Sequence, residues 1–327
     1  MKNKKILLVN GCIGWAVDRL CRPIYESDDN IDMVYSDNSD TRFRPTGYSE
    51  KGQPKVTIDK LGGDYNIIHH HEARALNMIL HNKECLKAIG DKEVILTVHT
   101  ERDEIDYKDF KRVDKIIACT IYNYCLFKKK GFKRVYYIPH AIDEKEFPYF
   151  KEYSRYENRL GFVGRVVKHK RVKEIKETAD KLGIEMWATG YVSEVEYWGT
   201  FHKDVKFHDF IQQDKLADFM RNFTLLMAIS EPNIEVGPLP TIECASLGIP
   251  IVTTPMGWAL DNLKHEESAY FVEQDDIGNL DKHVKRLLDD RDLRERIRKG
   301  ARKVIDNWKL EDYINKHKEV YNEKTNR

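Results

Sequence analysis

Short apolar runs alternate with amphipathic stretches from one end of this chain to the other, and that alternation limits its fold more than any single motif does. In the first half the runs are residues 5–9, 31–36, 65–71, 93–99, 114–120 and 134–139; in the second they are 160–165, 184–189, 205–208, 223–229, 249–253 and 269–272. A continuous apolar run bounded by turn residues reads as a strand covered on both faces, which is the habit of parallel sheets. Helical patterns between the runs supply the covering layers, so the chain is α/β. At 327 residues it exceeds one ordinary core. Two similar α/β domains are expected, 1–150 and 151–327, joined in the aperiodic, charged and aromatic stretch 143–155. The tail, 277–324, holds three amphipathic segments broken near 289–291 and 307–309, the last free to pack back on the first domain.

Composition removes several alternatives. Apolar residues make up 41% of the chain, enough for packed cores, and a net charge of +1 gives no overall field toward nucleic acid or an acidic membrane. One local basic run, Lys128 to Arg134, reads either as a solvated helix end or as a contact for a polyanion or a membrane surface. The six cysteines show no Cys-x-x-Cys spacing and fall mostly in apolar patterns, as expected of reduced thiols in a cytoplasmic protein. No run reaches the length of a membrane span, and no signal peptide is read at the start.

The densest chemistry lies in Ser230 to Pro250. This stretch follows the apolar run 223–229 and contains a loop, then a helix opened by Pro240 and closed by Gly248. Glu235 is thereby placed in a loop at the carboxyl end of a strand and Glu243 one turn inside the helix. That edge of an open α/β sheet is where ligands bind, and a helix N-terminus there favours anions. The two carboxylates either share one elongated ligand or are a solvated loop residue and a helix-surface charge. Arg165 and Lys170 flank another strand-to-helix turn in the same half. As a pair converging on the same crevice they need an anion between them; otherwise they are solvated surface cations.

In the first half, Asn10-Gly11-Cys12-Ile13-Gly14 follows a strand and precedes a helix, either as a tight turn or as a place where backbone meets a ligand. The glycines fall short of a dinucleotide fingerprint. The polar stretch 37–54 reads as a long exposed loop suited to an acceptor. Alternation along 65–71 puts His69 and His71 on one face and His70 on the other. Adjacent strand histidines are poorly placed to share a zinc ion and lack an accompanying thiolate spacing, so no metal is expected. One or two strand-end histidines, His71 and His99 among them, are expected to face a cleft.

Taken together these residues resemble the retaining glycosyltransferases of family 4, often called group 1, whose GT-B fold has two Rossmann-like domains facing across a cleft. Glu235-x7-Glu243 with Ala245, Gly248 and Pro250 resembles the family's Glu-x7-Glu signature. Val163-Gly164-Arg165 with Lys170 resembles its Gly-Arg-x4-Lys phosphate clamp, and Tyr137 to Asp143 with Phe147 resembles the segment closing its first domain. The resemblance spans most of the chain. It implies that Arg165 and Lys170 neutralise the diphosphate of a nucleotide sugar, that Glu243 accepts from ribose hydroxyls, and that Glu235 lies by the sugar. It further implies that His71 or His99 contacts the transferred sugar or its phosphate, and that backbone at Gly14, Gly237 and Leu239 approaches the donor. The donor implied is a UDP-sugar of the UDP-glucose or UDP-GlcNAc type, the first domain taking the acceptor side and the second the donor side, with no cofactor and no catalytic metal.

Two departures stand out. The family commonly has glycine three residues after the first Glu, where this chain has Pro238, and its usual Asn-Gly near the domain end is His140-Ala141 here. Two other functions fit the same residues: epimerisation or hydrolysis of a UDP-sugar, and an inactive scaffold subunit that binds nucleotide sugar. The acceptor is left open among a glycan, a lipid-linked glycan, a small molecule, a protein and a modified nucleic-acid base.

Overall fold

The computed structural model describes residues 4–11, 16–36, 55–71, 73–100, 107–151 and 158–323. They divide into two units, the first made of residues 1–140 and 310–327 and the second of 141–309. The stretch 37–54 and Gly14 lie outside the described residues.

The first unit is built on β1 (Ile6–Asn10), β2 (Ile31–Tyr35), β3 (Ile67–His70), β4 (Glu93–Val98), β5 (Lys115–Ala118) and β6 (Val135–Tyr137), all parallel in the order β2-β1-β3-β4-β5-β6. Strands β1, β3, β4 and β5 are buried at every position, which is why they read as unbroken apolar runs. The core on one face gathers Leu7, Val9, Ile68, Leu96 and Ile116 beneath the helices.

The last helix, Leu310–Asn322, belongs to this unit although it comes last in sequence. Tyr321 Oη lies 2.7 Å from His69 Nδ1, and the buried Lys115 ammonium donates to the carbonyls of Val320 and Glu323 at 2.6 and 2.9 Å. A lysine on the final carbonyls satisfies groups that the end of a helix leaves open.

The second unit holds β7 (Arg159–Val163), β8 (Glu185–Thr189), β9 (Val205–His208), β10 (Leu225–Ala228), β11 (Ile251–Thr253) and β12 (Tyr270–Phe271). These too are all parallel, in the order β12-β11-β10-β7-β8-β9. Read from the other edge, that is the doubly wound order whose direction reverses between its first and fourth strands, here β7 and β10. Loops leaving those two strands diverge around a crevice at their carboxyl ends.

The division falls at Ala141 rather than after residue 150, because residues 141–150 are fastened to the second unit. Ile142 N–H donates to the Trp308 carbonyl at 3.2 Å, Ser246 Oγ to that of Phe147 at 2.7 Å, and Phe150 N–H to that of Leu247 at 2.8 Å. Arg302 meets the Glu144 carboxylate, and Arg298 donates to the Phe150 carbonyl.

Candidate functional site

Both loops at the reversal in the second sheet carry residues expected from sequence. After β7 the chain turns at Gly164, where φ is +141°, and Gly190 after β8 has the same φ. A Cβ on Gly190 would stand 2.0 Å from the Gly164 carbonyl oxygen, so only glycine lets the two turns touch. A short 3-10 turn, Lys168–Lys170, follows, and then the helix Val172–Leu182.

The loop after β10 is fastened to that turn by backbone. Glu231 N–H and Ser230 Oγ both donate to the His169 carbonyl, at 2.8 and 3.0 Å, while Ser230 also exchanges hydrogen bonds with Thr254. Its far end is fixed at Gly237, whose φ of +128° and missing Cβ leave room for Trp258. The helix Leu239–Leu247 then begins, with Pro240 in its first turn and Gly248 left-handed at its end. Leu239 is buried at its first position.

This scaffold brings Glu235 and Lys170 together. Lys170 Nζ lies 3.0 Å from Glu235 Oε1, and His169 Nε2 approaches the same oxygen at 3.3 Å. The Glu235 side chain is 18% exposed, so burial by itself would raise its pKa. The charge of Lys170 and the hydrogen bonds from His169 and Lys170 outweigh burial and hold the carboxyl well below the usual carboxylate range. Glu235 is therefore ionised at neutral pH, and its partner Lys170 lines a crevice with Val163, Ser230, Pro238 and Pro240.

Arg165 is half-buried in the turn after β7. Glu243 is fully buried, which removes the surface-charge reading. Lys170 is paired with Glu235 rather than solvated alone. His169 was not anticipated, although its place next to Lys170 in the same short turn was a usable signal.

In the first unit, His71 and His99 meet at the ends of β3 and β4, with His71 Nδ1 3.1 Å from His99 Nε2. His71 is buried and His99 half-buried. Burial first, and neighbouring histidines second, push both pKa values well below normal, so both rings are neutral at pH 7. His70, on the opposite face, is lowered by burial to about 3. The ends of β1 and β2 are tied by buried Asp18, which accepts from Asn10 Nδ2 at 2.7 Å and from Tyr35 Oη at 3.0 Å.

Residues 199–304 match the family described as glycosyl transferases group 1, a segment that includes Glu235 and Glu243. The chain is 26% identical over 166 residues to the capsular polysaccharide biosynthesis glycosyltransferase CapM of Staphylococcus aureus, covering 45% of this chain and 41% of that protein. The match thus spans less than half the length of that curated relative. Among solved structures, Anabaena Alr3699/HepE in complex with UDP-glucose is similar at a TM-score of 0.77 with 13% identity, covering 97% of this chain and 99% of that one. Sucrose-phosphate synthase from Thermosynechococcus elongatus is similar at a TM-score of 0.76 with 14% identity, covering 97% and 98%.

The fold is GT-B. The two six-stranded parallel sheets are the Rossmann-like halves of that fold. Among the described residues no helix is long and apolar enough to cross a membrane.

Proposed function

We propose that this GT-B chain is a glycosyltransferase that takes a sugar from a nucleotide-sugar donor and transfers it, with retention, to an acceptor hydroxyl. The observation that carries the reading is the ionised Glu235 held by Lys170 and His169 where the second sheet reverses. The match of residues 199–304 to group 1 glycosyl transferases supports the activity. UDP-glucose in the HepE structure supports a UDP-sugar as donor, of the UDP-glucose or UDP-GlcNAc type.

In this reading the donor diphosphate lies between Arg165 and Lys170, so that Lys170 exchanges part of its contact with Glu235 for phosphate oxygens. Two cationic side chains take the charge of the leaving phosphate, and the chemistry asks for no metal there. Glu235, relieved of its full neutralisation, orients sugar hydroxyls and stabilises positive charge growing at the anomeric carbon. The bond to the diphosphate breaks as the bond to the acceptor oxygen forms on the same face, and a leaving-group oxygen takes the acceptor proton. Glu243 receives the ribose, and backbone at Gly237 and Leu239 lies along the donor. The second unit is the donor side and the first the acceptor side.

The capsular polysaccharide role in the name of the S. aureus relative supports a saccharide acceptor, free or lipid-linked. The five cysteines among the described residues are free, which supports a cytoplasmic setting. The test is turnover with a UDP-sugar. Glu235→Ala is expected to cost at least ~100-fold in rate with the fold retained, and Arg165→Ala ~10–100-fold in donor affinity. Near-native turnover in the first variant, or native affinity in the second, overturns the assignment.

A further inference from the structure

The residue that replaces the family's usual asparagine near the domain end, His140, points into the first unit. It is buried, and its Nε2 lies 3.1 Å from His99 Nδ1. Cys119 Sγ, also buried, lies 3.7 Å from that same nitrogen. The three side chains leave the carboxyl ends of β4, β5 and β6, which are consecutive in the sheet, and their ligand atoms all lie within 4.8 Å of one another.

His99 Nε2 is engaged by His71 Nδ1 at 3.1 Å, so in either tautomer His99 Nδ1 has one proton or one lone pair to share between an imidazole and a thiol. One cation satisfies the lone pairs of all three at once. We propose that His99 Nδ1, Cys119 Sγ and His140 Nε2 form a binding site for a divalent transition-metal ion of the zinc class, with a fourth position open to solvent or a small oxygen ligand.

The spacing fits. Zinc at ~2.0–2.1 Å from nitrogen and ~2.3 Å from sulfur sets the edges of a tetrahedron at ~3.3 Å between nitrogens and ~3.6 Å between nitrogen and sulfur. The observed 3.1 and 3.7 Å are close to both, and the third edge, Cys119 Sγ to His140 Nε2, is within 4.8 Å. A thiolate with two imidazoles selects zinc-like ions over magnesium or calcium. His71, accepting from the other nitrogen of His99, is the outer partner that fixes a ligating ring and its tautomer. Binding converts the Cys119 thiol to a thiolate, its proton passing to solvent. None of this depends on the transferase reading, and all of the residues belong to the first unit.

Sequence spacing hid the site. The expectation weighed adjacent histidines within one strand, whereas these ligands come from three strands, over residues 99–140.

The test uses full-length, tag-free protein stripped with a chelator and titrated with Co(II) and then Zn(II). One cobalt per chain is expected, with tetrahedral d–d absorption and a thiolate-to-metal charge-transfer band, displaced by zinc. Cys119→Ser is expected to abolish the charge-transfer band, His140→Asn to weaken binding at least ~10-fold, and His71→Ala to weaken it ~10–100-fold. Absence of the band in folded wild-type protein overturns the proposal, as does unchanged affinity in both Cys119→Ser and His140→Asn. Far-UV circular dichroism establishes that each variant is folded; if one is not, the other and the wild-type spectrum decide.

Discussion

Lys170 and His169 close on one oxygen of Glu235, and a carboxyl held below its ordinary range links stability to pH. The unfolded chain takes up this proton as pH falls through about 4.3, while the folded chain does not. Stability from the cluster is therefore fully present above that pH and lost as acid approaches the depressed folded value. Glu235→Gln removes the difference. Urea midpoints from pH 6 down to about pH 3 are expected to fall more steeply for the wild type than for this variant, and parallel curves would contradict the electrostatic account. Lys170→Ala should flatten the slope too, because it removes the main charge that lowers the carboxyl.

Among the elements, the last helix is the one most dependent on distant partners. Lys115, fully buried, pairs with Glu93 at 2.9 Å and also holds the end of this helix through two carbonyls. Burial lowers the lysine pKa, and Glu93 opposes that shift. Lys115→Met keeps the volume but takes away the nearer cation of Glu93, so a loss of ~3–5 kcal/mol is expected. Equilibrium unfolding in urea measures it; a change under ~1 kcal/mol would mean that the contact is incidental.

Strands β1, β3, β4, β5, β10 and β11 were legible because complete burial leaves a largely apolar signal. All of the expected runs became strands of the two sheets, 205–208 with both ends unchanged and no end elsewhere moved by more than two residues. The breaks in the tail fell where helices end, at Asp289 and Ile305. What sequence could not supply was pairing over long separations. Tyr321 on His69, Lys115 under the last helix, and Cys119 with His140 beside His99 depend on which strand ends lie side by side. The same limit applied to Lys170: its type and place were readable, but its partner Glu235 followed only from the adjacency of β7 and β10. Residues 143–150, read as part of the connection, are instead held by the helices 239–247 and 291–305 of the second unit.

At the scale of the whole molecule, the proposed function makes the ion pair at the second sheet's reversal the diphosphate subsite of a nucleotide-sugar donor. The direct measurement is thermal protection by a panel of nucleotide sugars in wild-type and Lys170→Ala protein, with free nucleotide release followed in parallel. Ligand at ~100 times its dissociation constant adds ~2.7 kcal/mol to the folded state, enough to raise the unfolding temperature visibly. A selective rise with one UDP-sugar, reduced in Lys170→Ala, is the predicted result. No rise with any nucleotide sugar in folded wild-type protein, or an equal rise in both proteins, would contradict it.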